Sequence, residues 1–289
     1  MAKIIVNGLV SGGVYAVLAV GFSLVFGVAR ILNMAHTAFY MIAAFFIFVC
    51  TVMSGFPLLL SVALAIFLVS VVGILCHKLF FDRIKEHTIP VMLVSVGLAI
   101  LFQELLVMGF GGTYRAIPPL VAGFVEIAGV RVPWQHLLAL GTSIVILIGL
   151  WLLLSKSRLG KAIRAVANDR EIANVMGIDV GWVCTITVGI SAGLAAIAGA
   201  IVAPIVMVHP LMWMQPLVIT LAAVVLGGLG SIRGSVIGAF ILGFAETATV
   251  FLMPMGSFLK GAVALGIMIV VLLLRPDGLF GVIFEEERL

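Results

Sequence analysis

Residues 158–180 read RLGKAIRAVANDREIANVMGIDV, the longest polar stretch in a chain that is otherwise close to pure hydrocarbon. An apolar run at 136–154 precedes it and another at 182–207 follows it. Further runs lie at 4–28, 34–54, 57–76, 89–110, 216–229, 236–252 and 258–274. Most approach or exceed the roughly 18 to 20 residues that cross a ~30 Å hydrocarbon layer. With 64% hydrophobic and 10% charged residues, the chain stands far outside soluble globular usage. A lipid-facing sheet edge would leave backbone groups unpaired, and no ten-residue alternation for a barrel occurs, so the spans are expected to be helices. The expected fold is an all-α polytopic membrane protein of eight or nine helices, a single domain over 1–289. The first run, interrupted by Asn7 and Ser11, is expected to be a retained helix rather than a signal peptide. The run PLVITLAAVVLGGL at 216–229 has only 14 residues and is expected to be short, broken or re-entrant.

Lysine and arginine counts orient the chain. With nine crossings and the N-terminus outside, twelve basic residues fall on one face and four on the other. A re-entrant 216–229 reduces the contrast to ten against six, so nine crossings are preferred. Either count puts residues 155–181 in the cytoplasm, and nine crossings put the C-terminus there too. The net charge of +4 is explained by this topology, because the basic residues flank spans rather than cluster with aromatics; no nucleic acid is implied. Cys50, Cys76 and Cys184 are single thiols, and histidines 36, 77, 87, 136 and 209 lack ligand spacing, so no metal or other cofactor is expected.

The loop itself has a pattern. Ile163 and Val166 share one side of a helical wheel; Ile172, Val175 and Met176 share one side of a second, shorter helix. Asn168 is expected to cap that second helix, with Glu171 three residues on and Gly177 as the stop. Helices of two or three turns are marginal alone in water and need a surface to pack on. Membrane headgroups are one candidate. A partner protein is the other, and it suits the mixed charge better: residues 156–180 carry five basic and three acidic side chains, and Asp169, Glu171 and Asp179 would be repelled by an anionic leaflet.

The string EIANVMG at 171–177 is similar to the Glu-x-Ala-x-x-x-Gly core of the loop by which membrane subunits of ATP-binding cassette importers engage their ATPases. GFSLVFGVARILNMAHTAFYMIAAF (21–45), LGGLGSIRGSVIGA (226–239) and RPDGLFG (275–281) resemble segments of the LivH-type branched-chain amino acid permeases, with Met34 and Thr37 departing from the usual Asn-Phe-Ala-His-Gly. The resemblance implies a permease in a bacterial inner membrane that carries amino acids, branched-chain ones foremost. It further implies cytoplasmic ATPase subunits, a second and different permease chain, and an extracytoplasmic binding protein. On the same ground Arg164, Asn168, Asp169, Glu171, Ala173 and Gly177 become the expected ATPase-coupling residues.

Four polar residues are candidates for the translocation pathway. Glu104 and Glu246 sit well inside the fourth and eighth spans, where an ionisable group costs roughly 2.5 to 3.5 kcal/mol and so faces a partner or a wet cavity. A carboxyl hydrogen-bonded between helices is the competing account. Asn33 and His36 lie near the inner ends of the first two spans; if ILNMAH is unwound, they either satisfy backbone groups there or line the pathway. GGLGSIRG at 227–234 lacks the Lys-Ser/Thr ending of a phosphate loop. Its Gly230, with Gly234 and Gly238, is read instead as a small-residue packing row, like Ser191, Ala195, Gly199 and Ala203 in the sixth span.

An ion- or proton-coupled secondary transporter using Glu104 and Glu246 is the alternative function. It leaves the capped loop without a task. An intramembrane enzyme lacks any catalytic spacing of Ser/His or paired Asp.

Overall fold

The computed structural model describes residues 2–84, 88–127 and 130–280. Lys85 and Arg288, both used in the charge count, and the expected cytoplasmic C-terminus at 281–289 lie outside them. The elements in chain order are α1 Ala2–Ala29, α2 His36–Phe48, α3 Leu58–Cys76, α4 Asp82–Ile84, α5 Thr88–Phe110, a hairpin β1 Phe124–Ile127 and β2 Val130–Pro133, α6 Trp134–Lys156, α7 Arg158–Asn168, α8 Arg170–Val175, α9 Val180–Val202, α10 Met214–Gly227, α11 Ile232–Leu252 and α12 Gly256–Leu274. Wider π-helical turns extend α2 through Val49–Met53 and join α3 to α4 through His77–Phe81.

Among the described residues eight helices are long and apolar enough to cross a membrane, and the expected spans agree with them to within a few residues, save at the ends of the third, which continues to Ile84, and of the sixth. α1, α2 and α9 form the centre, with 78%, 67% and 67% of their most apolar windows buried, while α12 has 6% buried and lies at the periphery. Such burial means helix against helix, since lipid leaves apolar side chains no reason to leave it. Close approach depends on small residues. A Cβ on Gly199 of α9 would meet the Tyr40 carbonyl of α2, and one on Gly238 of α11 would meet the Ala223 carbonyl of α10. Ser191, Ala195 and Ala203 continue the α9 row and are fully buried. The α11 row begins one step later than expected: Gly230 precedes the helix, in a turn at φ +81°, where only glycine is unstrained. Gly234 packs on the Gly227 carbonyl in its place.

Two ends of the bundle are defined by contacts. At one, which carries α7 and α8, a Cβ on Gly27 would lie 3.4 Å from the Gly230 oxygen, and Leu279 and Phe280 donate to the Leu226 and Gly227 carbonyls at 2.9 and 3.0 Å. At the far end Arg115 and Val208 exchange backbone hydrogen bonds of 2.9 and 2.7 Å. α10 joins the two. Its 14 residues span only about 21 Å, and the irregular chain before it supplies the remaining depth with Val208, Met212 and Trp213 buried in protein. Irregular backbone at membrane depth is tolerated where protein covers it. The short segment thus passes from end to end instead of turning back, and the sixth span ends at Val202 rather than 207.

The hairpin β1–β2 was not expected. It pairs Phe124 with Pro133 and Glu126 with Arg131 at the far end, and Arg131 lies 4.9 Å over the Phe124 ring.

Gly199→Val and Gly238→Val each drive a side chain into a neighbouring carbonyl, an overpacking cost of about 1–3 kcal/mol or more. Both should lower the apparent melting temperature of the detergent-solubilised chain. Gly97→Ala and Gly141→Ala, with nothing within 4 Å of the added carbon, should leave it unchanged.

Candidate functional site

After Ala29 the helix breaks, and residues 30–35 run non-helically before α2. Arg30 takes φ +51°, a left-handed conformation unusual for a residue with a Cβ. The break strands backbone groups, and four side chains brace it: three take up groups at the break, and His36 ties the start of α2 to the middle of α1 and to α9. The Asn33 carboxamide oxygen accepts from the Ala35 amide at 3.1 Å. The Ser95 hydroxyl of α5 accepts from the Met34 amide at 3.0 Å and donates to Met92 at 2.8 Å. His36 bridges three helices: Nε2 lies 3.1 Å from the Leu18 carbonyl of α1, and Nδ1 lies 3.2 Å from the Ser191 hydroxyl of α9. A carbonyl only accepts, so Nε2 carries the proton and Nδ1 takes the serine hydrogen. The fourth is Arg170 of α8, whose Nε and a terminal nitrogen both donate to the Val28 carbonyl, at 3.2 and 2.6 Å. Burial lowers the Arg170 guanidinium from its ordinary pKa, and Arg30 nearby adds to this. A cation on the last carbonyls of a helix is favoured by the helix dipole.

The polar loop therefore grips the broken end of the first span. α7 lies back on α6, its Ile163 and Val166 buried, at 2% and 1% exposure. A Cβ on Gly160 would meet the Leu153 and Leu154 carbonyls. α8 does the opposite. Ile172, Val175 and Met176 are 63%, 86% and 77% exposed, an apolar face with no cover from the described residues. Gly177 ends the helix at φ +82°, as expected. The cap differs by one residue. Asn168 closes α7, and Asp169 caps α8 by accepting from the Ile172 amide at 2.9 Å. The two helices abut at a single extended residue, Asp169, which leaves no separate position for Asn168 to cap. The expected coupling residues divide accordingly. Ala173 is buried inward, and Arg164, Asn168 and Asp169 border this chain's own helices; Glu171 and Gly177 are exposed beside the apolar face.

The two membrane carboxylates have different surroundings. Glu246 of α11 is 7% exposed, and its Oε1 takes Lys260 Nζ of α12 at 3.1 Å and Gln215 Nε2 of α10 at 3.2 Å. Glu104 is exposed on the outer side of α5 and accepts from the adjacent Gln103 amide at 3.0 Å. Gln103 itself turns inward, its oxygen 2.9 Å from Trp213 Nε1. The two carboxylates share no contact, and Asn33 and His36, only 3% and 1% exposed, have bracing roles. Ser95, Gln103 and Arg170 escaped the sequence reading. A lone serine or glutamine in an apolar span was the available signal for the first two; the third left none, since its partner lies 142 positions away.

Residues 4–272 match the family described as the permease component of the branched-chain amino acid transport system. The chain belongs to this permease family. It is 32% identical to the high-affinity branched-chain amino acid transport permease BraD of Pseudomonas aeruginosa, over 96% of this chain and 94% of that one. With LivH of Escherichia coli K12 the identity is 29% over 95% of this chain and 94% of the relative. With a probable LivH of Methanocaldococcus jannaschii it is 27% over 99% and 95%. Among solved structures, PsaBC of Streptococcus pneumoniae in complex with Fab superposes with a TM-score of 0.53 at 11% identity, covering 94% of this chain and 91% of that one, which is a likeness of fold. The permease is a multi-pass membrane protein and a transport component rather than a catalytic subunit.

The cap assignment is open to direct measurement. Asp169→Ala should remove about 1 kcal/mol from α8, read as roughly fivefold faster hydrogen exchange at the amides of residues 172–175. Asn168→Ala should leave those amides unchanged.

Proposed function

We propose that this permease is the membrane subunit of an ATP-binding cassette importer for branched-chain amino acids, and that α8 is the element through which a cytoplasmic ATPase moves it. One observation carries the coupling role. The exposed apolar face of Ile172, Val175 and Met176 stands on a two-turn helix whose first residue, Arg170, holds the end of α1. A helix this short is not stable alone, so its exposed face requires a partner. Force applied there reaches the break at residues 30–35 through one side chain.

The branched-chain substrate follows from BraD and LivH, whose names specify it and which align over nearly the whole chain. The orientation follows the charge count: N-terminus outside, α7 and α8 in the cytoplasm, in an inner membrane. An extracytoplasmic binding protein would then meet the far end, where Arg115 locks its loop by stacking 5.2 Å over Phe48. The second permease chain is assigned to the outer face of α5. There Ile89, Leu93, Ile100, Leu105 and Met108 are exposed around Glu104, and a carboxylate left in hydrocarbon would cost about 2.5–3.5 kcal/mol.

The coupling role is tested by placing a charge in the apolar face. Val175→Asp or Glu171→Lys should cut ATP-driven leucine uptake in proteoliposomes at least tenfold, roughly 1.4 kcal/mol of lost docking, with membrane insertion unchanged. Full uptake by both variants would remove α8 from the mechanism.

A further inference from the structure

At the loop end, an open cleft of about 1380 Å3 separates α6 from α11, with α1 as its floor and α7 and the α10–α11 turn as its rim. Its composition is divided by depth. The membrane side is apolar, with Leu24 of α1, Leu150, Trp151 and Leu154 of α6 and Val236 of α11. The rim carries three guanidinium groups from three separate elements, Arg30, Arg164 and Arg233. One carboxylate faces them, Asp169, and its Oδ1 is already engaged in capping α8. Ser23, on the wall about two turns from Arg30 along α1, has a buried hydroxyl with no hydrogen-bond partner among the described residues.

We infer that this cleft seats one anionic phospholipid, with its phosphate among Arg30, Arg164 and Arg233 and an acyl chain along α6 past Trp151. Three features carry the inference. The volume exceeds the roughly 300–1,000 Å3 of drug-sized ligand pockets, and a single amino acid would rattle in it. The walls are greasy where a lipid has its tails and cationic where it has its phosphate. Basic pockets between transmembrane helices on the cytoplasmic side are the known form of anionic headgroup sites, and the positive-inside orientation proposed above puts this rim in that leaflet. Trp151 is 57% exposed at the cleft, as a side chain facing an acyl chain would be. The rim also belongs to the moving parts. Arg164 sits on α7, and Arg30 lies in the break that Arg170 clamps. An anion bridging them would hold α7, α1 and α11 in one arrangement, so lipid charge would set the resting state on which the ATPase acts.

The inference rests on the permease reading only for the leaflet, and its test needs neither ATP nor solute. The transporter assembled with its natural subunits is placed in vesicles in which a fixed fraction of lipid is brominated on the acyl chain, either as phosphatidylglycerol or as phosphatidylcholine. Bromine quenches tryptophan at contact, and the emission that Trp151→Phe removes isolates the signal from this site. The expected result is stronger quenching of that signal by the brominated phosphatidylglycerol. Arg233→Gln should weaken the preference roughly fivefold, as should Arg30→Gln, the effect of one basic side chain beside a lipid anion. Equal quenching by both lipids, or a preference that survives both arginine substitutions, overturns the inference. Loss of the preference on adding millimolar inorganic phosphate at constant ionic strength overturns it in favour of a soluble anion. A Trp151 signal that neither lipid quenches overturns it too, since the second permease would then fill the cleft. Failed uptake with intact lipid preference would count against the importer reading alone.

Discussion

A backbone carbonyl inside a membrane cannot wait for water, and the break after α1 is where this chain meets that constraint. Leaving the helix at Ala29 and re-entering it at His36 strands several amides and carbonyls in a region where Ile31, Asn33 and Ala35 are buried. An unpaired buried group costs about 1–3 kcal/mol. The groups are met by Asn33 within the turn, Ser95 of α5 and Arg170 of α8, while His36 ties the start of α2 to the Leu18 carbonyl in the middle of α1 and to Ser191 of α9. Each partner belongs to a different part of the molecule. The break therefore works as a junction as well as a defect, because it cannot shift without moving α5, α8 and α9.

That arrangement explains why the loop is built from two unlike helices. α7 buries Ile163 and Val166 and is closed against α6 through Gly160, so it is a rigid extension of the bundle. α8 buries little beyond Ala173 and presents three large apolar side chains outward. A single extended residue, Asp169, separates them and caps the second. Under the proposed coupling role, a push on α8 would be resisted by α7 on one side and passed through Arg170 to the Val28 carbonyl on the other. The link is charge-assisted and short, at 2.6 Å, which makes it stiffer than a hydrophobic contact of similar size.

Much of this was legible in the sequence, for a physical reason. Run length against bilayer thickness fixes helices well, so the long spans agree closely with expectation, and the exit from helix at ILNMAH follows from Asn and His interrupting an apolar run. Amphipathic spacing marked the faces of α7 and α8, but the same pattern describes a side that is buried and a side that waits for cover. Only the structure separates Ile163 from Val175. The Asn168 cap was misplaced because NDRE offers two adequate caps in succession, and which one is used depends on where α7 stops. Arg170 was beyond reach. Its partner is 142 positions away, and nothing local in a basic residue near a helix start specifies a carbonyl on another helix. The β1–β2 hairpin was lost to brevity, since four-residue alternations do not rise above chance.

The two intramembrane glutamates show how far context outweighs depth. In sequence they are alike, each a carboxyl with a polar neighbour, ten or more residues inside an apolar run. In the bundle Glu246 is neutralised by Lys260 and held by Gln215, joining α10, α11 and α12 at the end opposite the loop. Removing Lys260, itself 30% exposed, would leave the buried Glu246 carboxylate uncompensated, so the pair favours one register of those three helices. Among the described residues Glu104 has only Gln103 as a partner, on a helix that packs against α2 and leaves its other side open. The same residue type is thus an internal fastener in one helix and an unfinished contact in the other. Among the described residues, Glu104 on α5 and the apolar face of α8 both lie exposed, one on a long apolar helix and the other on the polar loop.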